Sequence, residues 1–188
     1  MGIKLIASDS LTNQVKSLGL NTWEELVKYI QSLPYGRTSN RHDLSLVLSE
    51  NNGTCSSKHA LLKHIADLNK IPNVELILGM YKMNQENTPN IGNELRENKI
   101  DYIPEAHCYL MINNERVDIT TNNSEFKKIE KDIISEKEIQ PYQVSEHKVS
   151  HHKEYLRNWI ADNNVNFNFD DIWNIRERCI KSLSENSK

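Results

Sequence analysis

The stretch NNGTCSSKHALLKHI, residues 51–65, places a cysteine where a glycine-containing turn becomes an apolar helix. Thr54 is a suitable N-cap, so the sequence predicts Cys55 in the first helical turn. There, unpaired backbone N–H groups and the positive end of the helix dipole favour the thiolate, the form of cysteine that attacks carbon or binds metal. The predicted helix is apolar over much of its circumference and ends at Pro72, which indicates a central position in the fold.

The sequence after this helix indicates a small antiparallel sheet. The continuous apolar run within Val74–Met83 predicts a strand that is buried on both faces. Residues 107–112 and 115–120 flank Asn113-Asn114, an arrangement typical of a hairpin. The intervening residues 84–106 are polar and irregular, and a connection of this length is usually functional or disordered. We interpret residues 84–106 as the element that selects the substrate.

Amphipathic patterns on both sides of this region predict helices that enclose it. A capping box of Thr22 and Glu25 marks the start of the second N-terminal helix. The last predicted helix carries Asp170 and Asp171 at its start, in accord with the helix dipole. The helices are predicted at residues 10–19, 22–33, roughly 147–162 and 169–183.

The order of these elements over residues 1–188 predicts one domain of the α+β class. We divide it into N-terminal helices in residues 1–49, a core in residues 50–125, and a charged segment with C-terminal helices in residues 126–188. The net charge of −3 gives no overall attraction to nucleic acid or anionic lipid, and no apolar run approaches the roughly 20 residues of a membrane span. Three cysteines without a disulfide framework, and a start too short for a signal peptide, favour a soluble cytoplasmic protein or one whose export signal has been removed.

The hairpin register brings titratable side chains to one face of the sheet. With Ile112 opposite Glu115, His107 and Asp118 are diagonal neighbours, about 7–8 Å apart at Cα. A carboxylate beside an imidazole fixes its tautomer, and a thiol beside that imidazole is activated as a nucleophile. Alternation along the strands places five side chains on this face: His107, Tyr109, Arg116, Asp118 and Thr120.

The order of these residues resembles the transglutaminase-like superfamily of papain-like enzymes. The matching motifs are GTCSSKHALL at residues 53–62, AHCY at residues 106–109 and VDIT at residues 117–120. An aromatic residue often stands two positions after the histidine in that family, and Tyr109 does so here. The resemblance implies a single-domain member of the bacterial type, in which the nucleophile helix packs on a small antiparallel sheet.

The resemblance also implies a chemistry. Cys55 would be the nucleophile, His107 the general base and acid, and Asp118 the residue that orients the imidazole, without a cofactor or a metal. The substrate would be a peptide, a protein or a small amide or acyl compound, so that the enzyme would be a protease, a deamidase or a transamidase. Ser56 stands where animal transglutaminases have an aromatic residue, which leaves one oxyanion-hole donor unassigned.

Two further functions are compatible with the same residues. An inactive member of the family would keep the fold and act as a binding or scaffold protein. A metal-binding protein would combine Cys55 with His59, His107 and Cys108, although no Cys-x-x-Cys pair or familiar histidine spacing supports it. His59, one helical turn after Cys55, and Tyr109 are the candidates for substrate contact.

The catalytic hypothesis makes two geometric and electrostatic predictions. The Cys55 sulfur should lie within about 4 Å of one His107 nitrogen, with Asp118 bonded to the other nitrogen. The pKa of the Cys55 thiol should be lowered and that of the His107 imidazole raised, because each group stabilises the charged form of the other.

Overall fold

A four-stranded antiparallel sheet is the scaffold of the computed structural model, which describes residues 2–185. The strand order is β3-β2-β1-β4, so β1 pairs on both edges and eight of its ten residues are buried. This burial on both faces explains why its sequence is a continuous apolar run rather than an alternating one. The strands are β1 (Val74–Met83), β2 (Ile103–Ile112), β3 (Glu115–Val117) and β4 (Ile133–Ile139).

Seven α-helices lie in the described part of the chain, which makes the α+β class predicted from the sequence correct. Both predicted N-caps form. Thr22 and Glu25 make the expected capping box, and the Thr54 side chain accepts from the backbone N–H of Ser57. The helices are α1 (Ser10–Ser17), α2 (Trp23–Ser32), α3 (Leu46–Ser49), α4 (Cys55–Leu68), α5 (Glu94–Glu97), α6 (Glu146–Asp162) and α7 (Phe169–Glu185). None of the helices within residues 2–185 has the length and apolar content needed to cross a bilayer.

Each face of the sheet packs against its own set of helices. Helix α4 contacts β1 and β2, and Cys108 and Leu110 of β2 belong to the hydrophobic cluster on that side. Tyr109 belongs to the opposite cluster, together with Ile172 and Ile175 of α7. Strand alternation therefore assigns neighbouring residues of β2 to different cores.

Two strand boundaries differ from the sequence-based prediction. Strand β2 begins at Ile103 and not at residue 107, so residues 84–106 are shorter as a loop and also contain α5. Pro104 is tolerated because β3 pairs with β2 only from Leu110 to Ile112, which leaves β2 as an edge strand at the proline. Strand β3 ends at Val117, three residues earlier than the predicted strand.

The sheet also extends beyond the core expected at residues 50–125. Strand β4 pairs with β1 between Leu76 and Tyr81, although its sequence, IISEKEI, was interpreted as a charged, solvated segment. Six of its seven residues are partly or fully exposed, and four of these six are polar or charged. Charged side chains are common on edge strands because they prevent pairing with other chains, so the pattern concealed the strand.

Candidate active site

Cys55 is the first residue of α4, and the turn before it fixes that position. The backbone N–H of Thr54 donates to Ser57 Oγ at 2.9 Å, which closes the capping box. Gly53 is needed here because a Cβ atom at this position would lie 2.8 Å from Cγ of Lys58. The Cys55 side chain is consequently held at the positive end of the helix dipole, and the residue is 7% exposed.

His107 and Asp118 meet across the hairpin as its register predicts. Nε2 of His107 donates to Oδ2 of Asp118 at 2.8 Å, and the same imidazole interacts electrostatically with the Cys55 thiolate. Because Asp118 occupies Nε2, Nδ1 is the ring nitrogen left for the thiol. Oδ1 of Asp118 accepts from the backbone N–H and hydroxyl of Thr120 at 2.9 and 2.6 Å. The structure thus brings together Cys55, His107 and Asp118, which we call the triad.

The electrostatics of the triad favour a thiolate beside an imidazolium. Burial alone would raise the pKa of the Cys55 thiol, but the positive charges of Lys148 and His107 lower it to about 6. Burial alone would lower the pKa of His107, but Asp118 and the Cys55 thiolate raise it well above its usual value. Burial would raise the pKa of Asp118, and the neighbouring His107 holds it well below its usual range.

Lys148 is a residue of this site that the sequence analysis missed. Its Nζ donates to Ser56 Oγ at 2.6 Å and lies 3.8 Å from Cys55 Sγ. Lys148 is 8% exposed, and burial would lower the pKa of its ammonium group, yet the Cys55 thiolate raises it. The spacing in the sequence could have indicated this, because Lys148, His152 and Leu156 are four residues apart and therefore share one face of α6. That face is the buried one in the structure.

His59 takes a positioning role in place of the substrate contact expected from the sequence. The side chain is fully buried; Nδ1 donates to the Cys55 carbonyl at 2.7 Å, and Nε2 accepts from the backbone N–H of Ile119 at 2.9 Å. Burial, only partly offset by Asp118, lowers the pKa of His59 to about 4, so the ring is neutral. Its two hydrogen bonds fix the start of α4 relative to residues 118–120, which follow β3 and which we call the Asp118 loop.

Tyr109 is likewise inside the protein and not on the wall of a cavity. Its ring is 0% exposed and packs on Phe126, with a centroid distance of 4.7 Å. The ring lies across β1 at Gly79, where a Cβ atom would be 2.8 Å from Tyr109 Cε1. The hydroxyl continues to Glu136 of β4, to which it donates a hydrogen bond. Tyr109 therefore joins strands of the sheet beneath His107.

Lys58 is a buried lysine that binds the backbone of the Asp118 loop. It is 0% exposed, and its Nζ donates to the carbonyls of Leu33 and Thr120 at 2.5 and 2.6 Å. Burial lowers the pKa of Lys58 to about 8, although the Asp118 carboxylate acts in the opposite direction. Leu33 is at the end of α2, and Thr120 also donates to Asp118, the partner of His107. Lys58 therefore connects the end of α2 to the position of Asp118.

Cys55 separates two cavities. The Lys148 cavity, of about 400 Å³, is lined by Arg37, Arg41, Lys148, Lys153, Trp173 and Arg176 among others. The Asp118 cavity, of about 500 Å³, is lined by Gln31, Tyr81, Asn87, His107, Asp118 and Glu125 among others. Cys55, Tyr35 and Glu105 line both. A substrate bound over the thiol would extend to both sides.

An ion pair lies next to the triad and anchors α7 to β2. Arg176 donates from Nε and from its second terminal nitrogen to the two carboxylate oxygens of Glu105, at 2.7 and 2.5 Å. Burial would raise the pKa of Glu105, but Arg176 lowers it to about 2. His152 donates through Nε2 to the Pro104 carbonyl at 2.8 Å. These contacts position the wall shared by the two cavities.

Comparison of the chain with family models, with curated proteins and with solved structures gives no match. The resemblance to transglutaminase-like enzymes therefore depends on the three motifs and on the site geometry. Within residues 2–185, no group of three or more His, Cys, Asp and Glu side chains is placed to hold a metal ion, so the metal-binding alternative has no ligand set there.

Proposed function

We propose that this chain is a cysteine-dependent acyl-transfer enzyme with a transglutaminase-like core, which acts on amide bonds of a peptide, a protein or a small molecule. The observation that carries the proposal is the grouping of Cys55, at the N-terminus of α4, with a His107 that is hydrogen-bonded to Asp118, an arrangement in which the pKa of Cys55 is about 6. Such a thiol is mostly thiolate at neutral pH, whereas burial raises the pKa of both Cys108 and Cys179.

The first half of the reaction forms a thioester. The Cys55 thiolate attacks the acyl carbon, a C–S bond forms, and the carbonyl electron pair moves onto oxygen. The backbone N–H of Cys55, at the start of α4, stabilises this oxyanion because it has no partner within the helix. His107 gives its proton to the leaving nitrogen as the C–N bond breaks, and the amine departs.

The second half returns the thiolate. His107, now neutral, takes a proton from water or from an acceptor amine, which attacks the thioester carbon. The C–S bond breaks, the electron pair returns to sulfur, and the imidazolium is restored beside Asp118. Water as the acceptor gives hydrolysis, and an amine gives transamidation.

The alternative is a binding or scaffold protein with the same site but without turnover. The low exposure of Cys55, 7%, favours this alternative because a substrate carbonyl must reach the sulfur. The two functions differ in whether an acyl group is accepted by Cys55 and then released.

The experiment that separates them is acylation by p-nitrophenyl acetate at pH 7, followed by intact mass and peptide mapping. We expect one acetyl group on Cys55, and its subsequent loss to water or to an added amine. His107→Gln keeps a donor toward Asp118 but lacks the base, so acetylation should slow by about 10²-fold or more. Cys55→Ser is the control that should lose the labelled peptide. Wild-type acetylation no faster than that of free N-acetylcysteine would favour the binding protein.

A further inference from the structure

The two cavities beside Cys55 differ in charge. The Lys148 cavity is lined by five cationic side chains and two carboxylates, Glu105 and Glu177. Both carboxylates are already engaged: Glu105 by Arg176, and Glu177 by Arg176 and by Arg37, whose terminal nitrogen donates at 2.8 Å. The positive charge of this cavity is therefore in excess of what its own acids neutralise.

The excess charge is carried by Arg41 and Lys153, because Lys148 is already paired with the Cys55 thiolate. Lys148 faces the thiolate, at 3.8 Å from Cys55 Sγ. Arg41 is exposed and Lys153 is partly buried, with its Nζ over the Trp173 ring at 5.0 Å from the centroid. Among the ion pairs of residues 2–185, neither Arg41 nor Lys153 has a carboxylate partner. An anionic group that entered this cavity could bind Arg41 and Lys153 without displacing a carboxylate from either of them.

The Asp118 cavity has no such excess of positive charge. Its acidic side chains are Asp118, Glu105 and Glu125, and its cations are the His107 imidazolium and Lys128. Lys128 already lies 3.8 Å from Glu125. An anion gains nothing by entering this side, whereas a neutral or cationic amine is not repelled.

The position of His107 decides which half of the substrate enters which cavity. The general acid must be within hydrogen-bond reach of the leaving nitrogen, and His107 lines the Asp118 cavity but not the Lys148 cavity. The amine must therefore lie in the Asp118 cavity. The acyl group, on the other side of the reacting carbon, is directed into the Lys148 cavity.

We infer that the Lys148 cavity binds an anionic group of the acyl donor, so that the preferred donors are amides whose acyl chain carries a carboxylate or a similar anion. This inference rests on the proposed function for the direction of the acyl chain. Arg41 and Lys153 are the specificity-determining residues, and the cavity volume of about 400 Å³ is that of a small-molecule subsite.

The test compares two alkylating reagents that differ only in charge, iodoacetate and iodoacetamide. Each rate at Cys55 is divided by the rate of the same reagent with N-acetylcysteine. We expect the corrected ratio to favour iodoacetate by about tenfold at low salt, because the cavity concentrates anions, and to fall as salt is added.

Two variants locate the effect. Arg41→Gln with Lys153→Gln should bring the corrected ratio close to one, because the two cations that have no carboxylate partner are then absent from the cavity. Lys128→Gln removes a cation from the other cavity and should leave the ratio as in the wild type. As a second measurement, glutarate should protect wild-type Cys55 from iodoacetamide, and glutaramide should not.

The outcomes separate this inference from the proposed function. Rapid reaction with iodoacetamide, together with a ratio of one or a ratio unaffected by the double variant, would overturn the anionic subsite and leave the catalytic thiol in place. Reaction with both reagents no faster than that of free cysteine would overturn the proposed function and the inference with it.

Discussion

Glu105 and His107 are two residues apart on β2 and direct their side chains to the same face, yet their buried charges are neutralised in different ways. Glu105 meets Arg176 through two hydrogen bonds, and both partners are charged at any ordinary pH. His107 is a cation between two anions, the Asp118 carboxylate and the Cys55 thiolate. The Cys55 thiolate can take up a proton and become a neutral thiol, a group that is commonly buried in proteins.

We therefore expect changes at the Glu105–Arg176 pair to affect stability and changes around the thiolate to affect the reactivity of Cys55. Removing one partner of the Glu105–Arg176 pair leaves a charge in the protein interior, so the free energy of unfolding must fall. Removing a partner from the thiolate only returns the proton to sulfur, so reactivity falls while the fold is kept. The following experiments compare the two groups, beginning with the largest expected effect.

Arg176→Met should lower the free energy of unfolding by about 3–5 kcal/mol, because it leaves Glu105 buried without its cation. Arg178→Met is the matched control, because Arg178 lies on the same helix as Arg176 and pairs with Glu94 of α5 at 2.6 Å. Arg178 is half-exposed, so the free energy of unfolding should fall by less than about 1 kcal/mol. Urea denaturation measures both. Equal losses in the two variants would show that the buried pair is not the anchor of α7.

Asp118→Asn should slow acetylation of Cys55 by about 10²-fold, because the His107 ring loses the carboxylate that orients it. The asparagine oxygen can still accept from Thr120, which turns its NH₂ group toward His107 Nε2 and imposes the wrong tautomer on the ring. Asp67→Asn, at a partly exposed pair with Lys63, is the control and should acetylate normally. Normal acetylation of Asp118→Asn would remove Asp118 from the mechanism.

Much of the fold was predictable because local signals agreed with tertiary structure. The capping box of α2, the N-cap Thr54 of α4, the buried run of β1 and the hairpin turn at Asn113-Asn114 each depend on neighbouring residues alone. Strand β4 was not predictable in this way, because an edge strand with one exposed face carries the composition of a loop. Its place is determined by pairing with β1, a contact across more than fifty residues.

In the candidate site, too, the residues that were predicted correctly depend on short-range signals, and those that were missed or misassigned depend on long-range contacts. His107 and Asp118 were found because hairpin register is a short-range property. Lys148 was missed because it reaches Cys55 from a helix more than ninety residues away. His59 and Tyr109 were assigned to the substrate because helical and strand periodicity give the direction of a side chain but not what packs over it. Both are buried by other elements, the Asp118 loop and the α7 side of the sheet.

The pH dependence of stability should reveal the proton shared within the triad. The raised pKa of His107 contributes stability that is present below the unfolded value of about 6.5 and is lost as pH rises through the folded pKa. The lowered pKa of Cys55, about 6, contributes stability that is present above about 8.5 and is lost as pH falls through 6. Between about pH 6.5 and 8.5, the pair therefore holds one proton in both the folded and the unfolded chain.

Cys55→Ser removes this compensation. The folded variant still protonates His107 beside Asp118, whereas the unfolded chain does not, so its unfolding free energy should fall relative to the wild type as pH rises. The slope of this relative loss is at most about 1.4 kcal/mol per pH unit, so the loss is at most about 2 kcal/mol between pH 6.5 and 8.0. Urea denaturation at both pH values measures it. Parallel pH profiles of the two proteins would mean that thiolate and imidazolium do not form a pair.

Lys148→Met tests the second cation on the thiolate and has the smallest expected effect. The ammonium group lies 3.8 Å from Cys55 Sγ and is buried, so its removal should raise the pKa of Cys55 by about one unit from its value of about 6. Lys148→Arg keeps the charge and should keep the pKa low. Lys153→Met removes a lysine from the same helix and cavity, but this lysine lies over Trp173 and not beside the sulfur, so no shift is expected. The pH dependence of iodoacetamide alkylation at Cys55 measures all three variants. A wild-type midpoint in Lys148→Met would mean that His107 alone holds the thiolate, and Lys148 would then be a structural partner of Ser56.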